Sequence, residues 1–222
     1  MTDHHNFGDD IPDAFAVINP KDKRYTYGDS MLAGAGVSFR FFEYLYHYMV
    51  KIAPLSNKPK IGWDNLRSQA IQLAMIGTVA DLVPLQHLYN RVIVKEGLKM
   101  AAENPLIGLE ALIRASGLKS LKSTDIAFGI APRINAAGRL DNAMIAYDAF
   151  AALYTEEADK IANALNILNG QRQDFTKGAY AEAMDILAKD KNKSPYINFI
   201  YHNIRGGILG LVAGKISGET NT

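Results

Sequence analysis

Cysteine is absent from the 222 residues. That excludes a disulfide framework, a zinc–thiolate cluster and a thiol nucleophile. It also fits a reducing compartment, so the expectation is a cytoplasmic protein. An excess of one charge is lacking too: 24 Lys and Arg oppose 23 Asp and Glu, a net charge of +1. Such a balance argues against a histone-like or polybasic binder, but not against a nucleic-acid enzyme with a local basic groove. No apolar run approaches the ~20 residues of a membrane span, so no membrane partner is expected. The opening Met1-Thr2-Asp3-His4-His5 is polar and acidic, and is read as no secretory signal. Neither an internal repeat nor a low-complexity tract is visible. Apolar side chains are plentiful, at 48% against 21% charged. That is ordinary globular composition for one or two domains, and too apolar for a disordered chain.

Along the chain, Asp13 to Asn19 is a short apolar run closed by Asn19-Pro20 and predicts a buried strand. Leu32 to Lys51 turns helical, with Val37, Phe41, Tyr44, Leu45 and Tyr48 at three- and four-residue steps. A second helix is predicted from Asn65 to Ile76 with Asp64 as N-cap, then a sharp break at Gly77. Tyr89 to Glu103 is helical until Asn104-Pro105 stops it, and a short helix runs from Leu106 to a stop at Gly117. Ser123-Thr124-Asp125 is a cap signal for Ile126 to Ile130. Thr155-Glu156-Glu157 opens a long stretch to Lys189, with Leu165, Leu168, Phe175, Ala179, Met184 and Leu187 as its apolar stripe. A charged linker from Asp190 to Pro195, a strand from Tyr196 to Tyr201 and a glycine-rich turn entering a helix at Gly206 to Gly214 complete the reading, with Ser217 to Thr222 frayed.

Several clusters could carry chemistry. Asp3-His4-His5 combines imidazole and carboxylate, the ligand types of a borderline or hard divalent metal, with Asp3 available to hold the second nitrogen of a ring. A histidine pair in a linker is the bland alternative. Asp81, amid Gly77-Thr78-Val79-Ala80 and Leu82-Val83-Pro84-Leu85, is costly to bury without a cation or hydrogen bonds, or else caps a helix. Pro132-Arg133-Ile134-Asn135-Ala136-Ala137-Gly138-Arg139 offers guanidinium forks with small residues between them, suited to phosphate. Structural pairing with acids such as Asp141 is the alternative. The Gly206 to Gly214 turn could present backbone amides to an anion, but matches no P-loop, because Ile216 follows Lys215 where a hydroxyl belongs. Gly207 and nearby His202 are candidate substrate contacts; a loop histidine is the plainer reading of the latter. His47 reads as a packed histidine and His87 as a helix start. Trp63 and the eleven tyrosines could stack bases, though most fall at core spacing. Lys58-Lys60, Lys119-Lys122 and Lys189-Lys193 read as solvated loops.

Taken in order, these segments resemble the RecJ-type exonucleases of the DHH phosphoesterase superfamily. Thr2-Asp3-His4-His5 is similar to the motif that names the superfamily. Val17 to Pro20 and Leu32 to Val37 are similar to the segments that follow it. Gly77 to Leu85 resembles the next metal motif, Pro132 to Asp141 a stretch with a phosphate-contacting arginine, and Gly207 to Ile216 the opening of the DHH-associated domain. The resemblance covers essentially the whole chain. It implies an α/β fold: the C-terminal part of a parallel-sheet domain at 1–154, mostly helical after the first strand, a connecting helix at 155–191, and the start of a second α/β domain at 192–222.

It also implies a two-metal phosphodiesterase using Mn²⁺ or Mg²⁺, with in-line attack by activated water on single-stranded DNA in the 5′ to 3′ direction. His4 and Asp81 would bind one metal. Asp3 would support the site, and His5 would face the scissile phosphate. Arg139, with Arg133 and Asn135, would hold DNA phosphate. Repair proteins, a helicase and a single-strand-binding protein, would be partners. The superfamily's aspartate-rich loop, its bridging aspartate and most of the associated domain have no counterpart here. The expectation is therefore an internal piece of a larger enzyme, inactive alone, with an exposed apolar edge near Phe15 to Ile18. Alternatives are another DHH phosphoesterase (an oligoribonuclease, a cyclic-dinucleotide phosphodiesterase or a pyrophosphatase) and a non-catalytic nucleic-acid-binding remnant.

Overall fold

The computed structural model describes residues 1–6, 8, 11–25, 30–52, 62–189, 200 and 203–220. The chain divides into two compact units, Met1–Ala131 and Pro132–Thr222. In the first, α1 (Gly34–Ile52), α2 (Trp63–Ala80), α3 (Leu88–Glu103) and α4 (Ile107–Ser116) are followed by a short turn, α5 (Ser123–Asp125), which runs into a π-helical turn (Ile126–Ile130). Packing is densest between α2 and its neighbours α1 and α3. The core is made by Leu32, Val37, Ile71, Met75, Ile93, Leu109, Leu112, Ile126 and Ile130, all at most 2% exposed. Each such side chain contributes roughly 1.5–3 kcal/mol of burial.

Buried polar groups tie these helices together. Gln72 is fully buried; its Nε2 donates to Ser68 O and Asn104 O, and its Oε1 accepts from Leu106 N. It thus joins α2 to the turn at Asn104-Pro105, where α3 ends. Gly117 closes α4 in the left-handed region at φ +71°, a conformation that favours glycine.

The predicted parallel sheet is not present: no named strand occurs among the described residues, and the α/β assignment is corrected to an all-helical one. What remains of the strand at Asp13 to Asn19 is one parallel bridge, Thr2 to Ile18. Met1 donates its amino group to Ala16 O, Ile18 N donates to Met1 O, and Asp3 N to Ile18 O. A strand needs partners along its length, and two segments of this size make no ladder. Phe15 is accordingly fully exposed rather than buried. The strand predicted at Tyr196 to Tyr201 falls outside the described residues apart from Ile200, as do Lys58 and Lys60, most of the cluster from Lys189 to Lys193, and His202.

The break predicted at Gly77 is also overturned: α2 continues through it to Ala80, and Asp81 is its C-cap. A Cβ on Gly77 would stand 2.4 Å from Ala35 Cβ, so this glycine serves the close approach of α1 and α2 rather than a turn. Asp64 lies in the first turn of α2, and Gly62 holds the N-cap position.

The second unit contains α6 (Ala131–Leu140, its first residue in unit one), α7 (Met144–Ala151), α8 (Thr155–Lys189) and α9 (Gly206–Thr220). The arginine-bearing stretch at 132–139 is therefore helix. α8 runs unbroken through Gly170 and Gly178, and α9 continues past Ser217, where fraying was expected. Ala136, Ala137, Ala149, Ala158 and Ala162 are fully buried, so small side chains line the helix contacts here. Ala183, Leu187, Val212 and Ile216 form a second cluster between α8 and α9.

Candidate functional site

The first unit brings the opening residues onto the C-terminal end of α2. The Thr2 and Ser38 hydroxyls share a hydrogen bond of 2.9 Å, which pins the opening segment to α1. Asn19 Nδ2 donates to His5 O at 2.9 Å, and Asn19 Oδ1 accepts from Lys21 N. The backbone of His5 is thus held by a side chain only 8% exposed. The His4 ring rests on α1, where a Cβ at Gly34 would meet His4 Cδ2 at 3.3 Å. A side chain at position 34 would require the ring to give by a few tenths of an ångström.

His4 Nε2 stands 3.4 Å from Asp81 Oδ2. That is longer than an ordinary N–H···O bond. It is a separation that two donors, each ~2.1 Å from one shared ion, can span. Imidazole and carboxylate suit Mn²⁺, Zn²⁺ or an Mg²⁺-like ion, and these two groups form one edge of a coordination sphere. No group of three or more His, Asp or Glu that could hold a metal occurs among the described residues. The donors present thus fit a divalent ion but do not complete its ligand set.

His5 lies beside this pair, its ring centroid 4.5 Å from that of His4, and bonds to Asp3 rather than to Asp81. Its Nδ1 is 2.8 Å from Asp3 Oδ1, and its ring is largely exposed. The hydrogen bond from His5 holds the Asp3 carboxyl below its ordinary value, so at neutral pH Asp3 is ionised. An ionised carboxylate only accepts, so Nδ1 donates the proton in this bond. Asp3 thereby orients the largely exposed His5 ring.

Asn90, which the motif reading passes over, positions the Asp81 loop. It is fully buried, and its Nδ2 donates to Met31 O and Pro84 O. One side chain on α3 thereby ties the residues before α1 to the loop that follows Asp81. The only signal for it in the sequence is a polar residue in the apolar phase of α3. His87 is the N-cap residue of α3 without a side-chain cap bond, and the His47 ring lies tilted against Trp63 with centroids 4.8 Å apart, where Trp63 also contacts Phe42 and Tyr46.

In the second unit Arg133 Nε donates to Asn166 Oδ1 at 2.9 Å, and Arg139 Nη1 to Gly207 O at 2.9 Å. Asn135 is exposed. Gly207 lies so close to α6 that a Cβ there would fall 2.0 Å from Arg139 O. Arg172, which no sequence motif marks, donates Nη2 to Asn169 Oδ1, while its buried Nε has no partner among the described residues. Burial first, and the charge of Arg139 second, lower the Arg172 pKa; burial alone lowers that of Arg133. These guanidiniums stay charged at neutral pH, and an anion beside them would offset both costs.

No protein-family model matches the chain. It is 32% identical over 218 residues to the single-stranded-DNA-specific exonuclease RecJ of Bacillus subtilis, covering 97% of this chain and 25% of that protein. It is 31% identical over 223 residues to RecJ of Escherichia coli, covering 97% and 38%. The crystal structure of RecJ with Mn²⁺ from Thermus thermophilus matches with a TM-score of 0.79 at 30% identity, over 99% of this chain and 31% of that one. Exonuclease RecJ bound to manganese matches with a TM-score of 0.75 at 28% identity, over 98% and 51%. Over nearly its whole length, then, the chain is similar to one segment of the RecJ single-stranded-DNA-specific exonucleases, spanning 25 to 38% of the length of these two relatives.

Proposed function

We propose that the chain contributes part of a metal-dependent exonuclease acting 5′ to 3′ on single-stranded DNA in repair and recombination. The observation that carries this reading is the approach of His4 Nε2 to Asp81 Oδ2 within 3.4 Å, which sets donors from distant segments on one edge of an ion site. His4 and Asp81 hold Mn²⁺ or Mg²⁺ with ligands beyond those described. When bound, the ion supplies Lewis-acid stabilisation of charge at the phosphate. His5, oriented by Asp3, presents a basic nitrogen to the substrate and accepts or returns a proton there. Arg139, Arg133 and Asn135 hold backbone phosphate, with Gly207 at the same place on α9.

The relatives' substrate, single-stranded DNA, is the partner this reading assigns, with a helicase and a single-strand-binding protein as repair partners. A cytoplasmic setting goes with that role. No helix among the described residues is long and apolar enough to cross a membrane.

Isothermal titration with MnCl₂ tests the reading. One weak site is expected, lost in His4→Ala and in Asp81→Ala. Tight binding of two ions, or binding that neither variant alters, would contradict it. Under this reading the 222-residue chain does not hydrolyse DNA alone, because His4 and Asp81, the donors brought together among the described residues, do not complete a catalytic ion site.

A further inference from the structure

The first unit carries a cleft that none of these roles uses. It encloses about 240 Å³, between Thr78, Leu82 and Leu85 on one side and Ser123, Thr124 and Phe128 on the other. Thr78 and Leu82 bracket Asp81 in the chain, so the cleft opens next to the loop that carries the proposed metal ligand.

Thr78 is fully buried, and its Oγ1 has no hydrogen-bond partner among the described residues. A threonine in a helix ordinarily returns its hydroxyl to the preceding turn, and an unpaired one in the interior is destabilising. Phe128 is 83% exposed. Its ring is free to stack, in a cleft whose other walls are aliphatic side chains and the hydroxyl residues Thr78, Ser123 and Thr124. Both walls have uncommon backbone: Leu82 sits at φ +55°, and Phe128 lies in the π-helical turn.

Size and chemistry narrow the occupant. The volume falls below the ~300–1,000 Å³ of sites for drug-sized ligands, and suits one planar ring system. An aliphatic chain or a leucine side chain would leave the Thr78 hydroxyl unpaired. A ring with apolar faces and a polar edge would stack on Phe128 and satisfy Thr78 together. A nucleobase is such a group.

We propose that this cleft receives one unpaired base of the DNA strand, with Phe128 against its face and Thr78 Oγ1 bonded to its edge. The proposal rests on the exonuclease reading and deepens it. A base can enter only if it is not paired, so the cleft selects single strands by a contact separate from the phosphate contacts.

The test is fluorescence anisotropy on the 222-residue chain with a labelled short oligothymidylate, and with a backbone of equal length lacking bases, both in EDTA. Phe128→Leu is expected to weaken oligothymidylate binding about fivefold or more, the low end of aromatic stacking per base. Phe128→Tyr restores it. Thr78→Val weakens it several-fold while raising the melting temperature, since an unpaired hydroxyl is removed. The base-free strand binds every variant alike. Because Phe128 is exposed, its variants should melt like the parent chain.

If both strands bind and no variant discriminates between them, or if Phe128→Leu weakens both equally, the cleft proposal falls and the exonuclease reading stands. A lowered melting temperature in Thr78→Val would show that the hydroxyl is paired, and would also overturn it. If neither strand binds the parent chain, the exonuclease reading fails and takes the proposal with it.

Discussion

Gly77 on α2 faces Ala35 on α1 so closely that a Cβ at Gly77 would lie 2.4 Å from the Ala35 Cβ. Real Cβ atoms do not approach to that distance, and here both helix backbones must move for one to fit. The contact lies one helical turn before Asp81, and Gly34, under the His4 ring, precedes Ala35. The packing of two small residues therefore sets the spacing between His4 and Asp81.

Gly77→Ala should accordingly destabilise the first unit by ~1–3 kcal/mol, the usual cost of overpacking a helix contact. Urea unfolding followed by circular dichroism would measure it. A midpoint equal to the parent's would show that α1 and α2 part without cost.

Gly34→Ala is a gentler probe. Its Cβ would press on His4 Cδ2 at 3.3 Å, a ring edge that can yield by a few tenths of an ångström. Stability should change by less than ~1 kcal/mol, while Mn²⁺ affinity falls several-fold as His4 shifts relative to Asp81. Titration calorimetry and a thermal melt on the same variant separate the two effects.

Asp22 governs part of the acid response. It accepts from Arg24 Nε and Nη2 and from the Arg24 amide, and the guanidinium lowers its pKa below the ordinary 3.8. A carboxyl with a depressed folded-state pKa contributes stability that is present above the unfolded value and lost as pH falls through the folded one. Asp22→Asn should therefore melt lower than the parent at neutral pH, and the two should converge below about pH 3.8. Melting temperatures across the acid range would show it; a constant difference at every pH would refute the pairing. The Asp3–His5 bond shifts Asp3 in the same direction.

Arg139 makes a salt-dependent prediction. A guanidinium that binds one phosphate of a single strand contributes about 0.7 to the slope of log K against log salt. Arg139→Ala should weaken oligonucleotide binding and reduce that slope by about this amount. An unchanged slope with weakened binding would mean that Arg139 acts only through its hydrogen bond to Gly207 O.

The candidate groups are legible in residue types alone. Asp3, His4, His5 and Asp81 stand out because imidazoles and a carboxylate in apolar company have few inexpensive roles, and Arg133 and Arg139 because guanidiniums spaced by small residues suit phosphate. Helix α8 was legible as well, from the acidic cap at Thr155-Glu156-Glu157 and the apolar stripe through Leu165 and Leu187. Both signals are local. The sheet is not, because whether Asp13 to Asn19 becomes a strand depends on which backbone groups lie beside it, and among the described residues only Met1 to Asp3 do. Gly77 predicts a break because a glycine's sequence signal is the same whether it frees a turn or admits a neighbouring helix. The roles of Asn19, Gln72 and Asn90 carry no local signal, because each is defined by a carbonyl or an amide from a distant segment. Sequence by itself determined which groups are available for metal and phosphate, since that is a matter of functional groups. Tertiary structure alone decided that His4 faces Asp81 and that Thr78 has no hydrogen-bond partner among the described residues, because burial and hydrogen bonding depend on what the rest of the chain brings near.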